Sequence, residues 1–188
     1  MNDTGTPTRA IALGIDLGGT NLRSAAVSAS GEIVYETSRP TFATEGVESV
    51  IDRVALAIRE AAERAGVASD VPVGVAAPGP LDPRAGIVYF APNLPGWRDV
   101  QLRDRLQALT NRQVLLGNDA NAAALGEFIF GAGKGSQNMI FVGLGTGVGG
   151  GVISEGRLID GVRGMGGELG HVSVDLDGPR CTCGSSGC

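Results

Sequence analysis

Four soft metal donors fall within 18 residues of one another: His171, Cys181, Cys183 and Cys188. They are the only histidine and all three cysteines of the chain. A structural zinc takes four ligands, and three thiolates with one imidazole form an accepted set. C-x-C followed by C-x₄-C, with Gly184 and Gly187 inside, is knuckle-like spacing. The plain alternative is a chance cluster of thiols beside a core histidine. Glu168 stands three residues before His171, in Gly-Glu-Leu-Gly-His. A carboxylate and a ligand histidine are thereby held close together, which suggests that the metal braces a binding site.

Asp16-Leu17-Gly18-Gly19-Thr20 puts a carboxylate at a strand end against a glycine turn. Such a turn offers backbone N–H groups to phosphate oxygens, Thr20 adds a hydroxyl, and Asp16 can hold Mg²⁺ through water. The alternative is an ordinary hairpin turn. A second glycine hairpin, Gly145-Thr146-Gly147-Val148-Gly149, repeats the chemistry, and two facing hairpins would grip the phosphates of a nucleotide. No Walker A loop is present. Asn118-Asp119 sits at the end of a further strand. Asp119 reads either as a helix N-cap or as a general base that takes the proton of an attacking hydroxyl, with Asn118 on the neighbouring hydroxyl. Glu168 and His171 complete a set of acceptors suited to a polyol. His171 gives one ring nitrogen to the metal and the other to a sugar hydroxyl.

Those side chains need a scaffold, and composition bounds it. A chain of 188 residues with 43% hydrophobic content makes one large or two small globular domains. A net charge of -5 argues against nucleic acid as a partner. No apolar run reaches the roughly 18 residues a membrane span needs. The N-terminus lacks a basic region followed by an apolar core, so a cytoplasmic protein is expected. There, clustered thiols favour metal over disulfides.

Residues 1–9 read as a disordered arm. Ala10–Leu17, Asn21–Ser28 and Ile33–Thr37 read as an antiparallel meander, and apolar spacing over Val47–Ala65 predicts a helix. Val71–Ala76 is a buried strand, and 81–97, with three prolines, is irregular. Val100–Ala108 is a short helix, Val114–Leu116 a strand, and Ala120–Phe130 an apolar, buried helix. Asn138–Leu144 and Val148–Ser154 form the second hairpin. Its likeness to the first suggests an internal duplication.

Together these stretches resemble the ROK family (repressor, open reading frame, kinase) of the sugar kinase, actin and Hsp70 superfamily. The resemblance rests on Asp16–Thr20, Leu144–Gly151, Gly117–Ala124 and Gly167–His171 followed by Cys181–Cys188, and it spans about residues 11 to 188. It implies an α/β fold of two ribonuclease-H-like (actin-like ATPase) domains, 10–118 and 119–188. The second is only partial here and carries the zinc knuckle. It implies an ATP- and Mg²⁺-dependent hexose kinase with Asp119 as base. Sugar contacts would come from Gly79, Asn93, Asn118, Asp119, Glu168 and His171. Phosphate contacts would come from Asp16, Gly18, Gly19, Thr20, Asn21, Gly145, Thr146, Gly147 and Gly149. Zinc would sit on His171, Cys181, Cys183 and Cys188.

Asn93–Trp97 and Ala77–Pro80 look most like bacterial glucokinases of the family, commonly homodimers or homotetramers. Related kinases of N-acetylmannosamine, N-acetylglucosamine or fructose are the nearest alternatives. A sugar-responsive regulator or a non-catalytic sugar-binding fragment is the alternative of another class. Family kinases have two full domains in about 300 residues. The expectation is therefore a C-terminally truncated chain, weakly active or inactive alone, with exposed sheet edge and core in its second half.

Overall fold

The computed structural model describes residues 10–145, 147–162, 164–181 and 183–188, so the expected arm 1–9 and Thr146 lie outside the described residues. The strands are β1 (Ala10–Leu17), β2 (Asn21–Ser28), β3 (Ile33–Pro40), β4 (Val73–Ala77), β5 (Leu81–Asp82), β6 (Ile87–Phe90), β7 (Arg98–Val100), β8 (Val114–Asn118), β9 (Met139–Leu144), β10 (Val148–Ser154) and β11 (Arg157–Leu158). The helices are α1 (Val47–Arg64), α2 (Leu102–Thr110) and α3 (Asp119–Ile129). The chain divides into two compact units, Met1–Asn118 and Asp119–Cys188.

In the first unit, alternation in β1 puts Leu13, Ile15 and Leu17 on one buried face. β1 pairs antiparallel with β2 and parallel with β4, and the sheet order is β3-β2-β1-β4-β8. The parallel strands β4 and β8 end together, Ala77 beside Asn118. Helix α1 buries Val50, Ile51, Val54, Ala55, Ala57, Ile58, Ala61 and Ala62. These residues share a core with the sheet and with Trp97, which is 1% exposed. Burying each valine or isoleucine contributes about 1.5–3 kcal/mol.

The second unit repeats a three-strand antiparallel meander, with order β11-β10-β9. Its hairpin pairs Leu144 with Val148 and Met139 with Ile153. Pairing Phe141 with Gly151 and Gly143 with Gly149 sets these residues on the face that meets α3. On the opposite face of β9, Ile140, Val142 and Leu144 are exposed.

Four expectations change. Residues 81–97 are not irregular: they contain β5 and β6, which with β7 form a small sheet of order β5-β6-β7. Pro83 falls in the β5–β6 turn, where the Asp82 carboxylate accepts the Arg84 and Ala85 amides at 2.8 and 2.9 Å. Strands of two to four residues are too short to show a period. The short helix begins at Leu102 rather than Val100, because Val100 pairs with Val88. β3 runs on to Pro40, paired with Asn21 across β2. Finally, α3 is not buried throughout. Only Asn121 and Ala124 are buried, while Leu125, Ile129 and Phe130 are exposed, because the helix meets the glycine strands along one narrow stripe. Among the described residues no helix is long and apolar enough to cross a membrane.

Candidate functional site

The first unit places Asp16, Gly18, Gly19, Thr20 and Asn21 at one end of the β1–β2 hairpin. Leu17 pairs with Leu22, so residues 18–21 form the turn. It is closed by the Gly18 amide, which donates to Asn21 O at 2.9 Å. Gly18 therefore spends its N–H inside the turn. The amides of Gly19 and Thr20 make no such backbone bond among the described residues. Asp16 pairs across the strands with Arg23, whose Nη1 lies 3.9 Å from Asp16 Oδ2.

Gly19 packs directly on Asn93, which is exposed in the segment between β6 and β7. Gly79, at φ +83°, lies just after β4 with its Cα against the Phe90 carbonyl. Asn118 closes β8, and the very next residue, Asp119, opens α3. The candidate base is thus the first residue of the second unit. Asp119 is exposed, and its Oδ1 accepts the Ala120 amide at 2.8 Å.

The second unit groups the remaining residues. Gly145 donates to Gly147 O at 2.9 Å across the tip of the β9–β10 hairpin. Gly149 faces Ala120, where a Cβ would lie at 3.1 Å. Glu168 precedes a short 3₁₀ turn, Leu169–His171, that sets its Oε2 3.9 Å from His171 Nε2. The other ring nitrogen, Nδ1, lies 3.7 Å from Cys181 Sγ. Cys183 and Cys188 sulfurs are 3.7 Å apart, and Cys188 Sγ lies 3.6 Å from the His171 carbonyl oxygen. One donor atom from each of His171, Cys181, Cys183 and Cys188 lies within 4.8 Å of the other three, which is a group able to hold a metal ion.

The thiols are held together by backbone. The Cys181 amide donates to Ser185 O at 2.9 Å, and Arg180 bridges Ser186. Hydrogen bonding from the Cys183 backbone, its thiol and the His171 ring draws the Cys181 thiol down to about 6. Burial first, and then the neighbouring thiols, push Cys188 up.

Arg23 and Thr41 were not among the sequence candidates. Period-two alternation across the turn could have paired Arg23 with Asp16. Thr41 had no local signal, since its partners Gly18 and Thr20 lie more than twenty residues back.

The sequence profile described as the ROK family matches residues 12–188. The chain belongs to the ROK family. It is 45% identical over 177 residues to the glucokinase of Thermotoga maritima, covering 94% of this chain and 55% of that protein. Its fold matches a ROK hexokinase from Thermus thermophilus at TM-score 0.82 and 41% identity, over 94% of this chain and 58% of that one. It also matches a ROK family glucokinase from Streptomyces griseus, solved in complex with glucose and AMPPNP, at TM-score 0.83 and 38% identity, over 94% and 55%. The chain thus has the α/β fold of ROK kinases, and it spans about half the length of the relatives it matches.

Proposed function

We propose that the protein carrying this chain is an ATP-dependent hexose kinase that converts D-glucose to glucose 6-phosphate. The observation that supports this most is the 45% identity to a glucokinase across 94% of the chain. In this reading Asp119 takes the proton of the sugar 6-hydroxyl as its oxygen attacks the γ-phosphorus. The bond from that phosphorus to the ADP oxygen breaks, and ADP leaves. Asn118, Glu168 and His171 hold the hydroxyls, with Gly79 and Asn93 lining the sugar. Asp16 and the Gly18–Asn21 turn serve the phosphates, as do Gly145, Thr146, Gly147 and Gly149. Phosphoryl transfer asks the protein mainly for in-line placement and charge neutralisation. Mg²⁺, bound near Asp16, supplies the latter.

Zinc belongs to the same reading, on His171, Cys181, Cys183 and Cys188. Two sulfurs on one tetrahedral zinc, each about 2.3 Å away, lie about 3.8 Å apart. The Cys183–Cys188 separation of 3.7 Å fits that distance. With four protein ligands no position remains for a reactive water, so the ion is structural. His171, whose Nδ1 lies on the Cys181 side and Nε2 on the Glu168 side, would have its ring orientation fixed by the ion when bound. The three cysteines are free thiols, which suits the cytoplasm. Each of the two units is read as a ribonuclease-H-like domain, in a protein that assembles as a homodimer or homotetramer.

The test is side-by-side turnover of glucose, fructose, N-acetylglucosamine and N-acetylmannosamine with MgATP, read as ADP formed. The highest kcat/KM is expected for glucose. Glucose as the poorest of the four would overturn the substrate, and no ADP from any would overturn the kinase.

A further inference from the structure

The backbone of the Gly18–Asn21 turn is held from outside its own hairpin. Thr41, one residue beyond β3, is wholly buried. Its hydroxyl donates to Gly18 O at 2.7 Å, and its amide donates to Thr20 O at 2.8 Å. One residue thereby occupies two carbonyls of the turn. A trans peptide is planar, so the carbonyl of residue 18 and the amide of residue 19 point in opposite directions. Holding Gly18 O toward Thr41 therefore aims the Gly19 N–H away from it, out of the turn. That amide makes no backbone hydrogen bond among the described residues.

Thr41 is itself anchored. Its carbonyl accepts Arg53 Nη1 at 2.7 Å, from helix α1. Arg53 also pairs with Glu45 and stacks 5.1 Å over the Phe42 ring. A continuous line, Arg53 to Thr41 to Gly18, connects the packed helix to the turn. Neither Thr41 nor Arg53 belongs to the phosphate turn in sequence.

We propose that Thr41 is a positioning residue for the donor phosphate: its hydroxyl, bonded to Gly18 O, orients the Gly19 amide toward a phosphate oxygen. The inference rests on the kinase reading of the turn. Thr41→Val keeps the shape and the backbone bond and removes only the hydroxyl, while Thr41→Ser keeps the hydroxyl. Losing one hydrogen bond should raise KM for MgATP about fivefold in Thr41→Val. KM for glucose should stay within about twofold, because the lost interaction serves only one substrate. Thr41→Ser should restore the donor KM. Titration with Mg·AMPPNP reads the same change without turnover. Should Thr41→Val fail to fold, Arg53→Met, which releases the Thr41 carbonyl, should show the same split. A protein that binds Mg·AMPPNP but phosphorylates no hexose would sink the sugar-kinase reading while leaving this one to the titration. A Thr41→Val protein with wild-type affinity for Mg·AMPPNP and only a lower Tm would overturn the proposal. So would a Thr41→Ser protein as impaired as Thr41→Val.

Discussion

Gly19 lies so close to Asn93 that a Cβ on residue 19 would sit 2.6 Å from the Asn93 Cβ and 2.8 Å from its carbonyl oxygen. The turn proposed for the phosphate and the loop proposed for the sugar thus share one backbone wall. Gly19→Ala must push one of them away. We expect a loss of about 1–3 kcal/mol in stability, seen as a lower Tm, with KM raised for both MgATP and glucose. Gly14→Ala is the control, since a Cβ there meets nothing within 4 Å. Equal behaviour of the two variants would refute the shared wall.

Asp119→Asn separates the two readings of that aspartate. An asparagine carbonyl can still accept the Ala120 amide that Asp119 Oδ1 accepts now. The helix start should therefore survive with an unchanged Tm. A general base contributes about 10²- to 10⁴-fold, so kcat should fall by that much with KM for glucose little altered. Retention of more than a tenth of the activity would leave Asp119 as a cap only.

Zinc analysis of the purified protein should find one ion per chain. Chelation should lower the stability of the second unit, since a metal present at a thousand times its Kd stabilises by about 4 kcal/mol. Cys183→Ser should abolish stoichiometric zinc. A metal-free protein with unchanged melting and full sugar affinity would argue for a mere thiol cluster.

The Arg39 hydrogen bond holds the Glu60 carboxyl below its ordinary range, against the opposing pull of burial, with Tyr35 Oη donating to the other oxygen at 3.2 Å. A depressed carboxyl stabilises the fold above its unfolded value and loses that contribution as pH falls through the folded value. Glu60→Gln should then lower Tm at pH 7. The difference from wild type should shrink toward pH 3. A deficit that stays constant with pH would mean that Glu60 acts by packing instead.

How much of this could be read from the chain depended on how local the signal was. β1, β2 and α1 announce themselves through period-two and period-3.6 burial, and all three formed where expected. The metal-type cluster was visible because histidine and cysteine occur nowhere else. β5, β6 and β7 escaped notice because tertiary pairing, not local pattern, makes strands of two to four residues. The clamp on the glycine turn escaped for a related reason. Thr41 reaches Gly18 across 23 residues, and only the pairing of β2 with β3 brings it there. The apolar run of α3 misled, since hydrophobicity alone cannot say how many sides of a helix are covered.

The glycines of β10 carry a consequence for anyone who would alter this protein. A Cβ on Gly151 would lie 2.5 Å from the Ala124 Cβ, and one on Gly149 would lie 3.1 Å from that of Ala120. The run that looks made for a ligand is therefore partly a bearing surface on which α3 rests. Positions 120, 124, 149 and 151 form a single size-limited set. Engineered libraries that diversify the hairpin alone should return to glycine at 149 and 151 under selection for solubility. Libraries that vary strand and helix together have room to trade bulk from one side to the other.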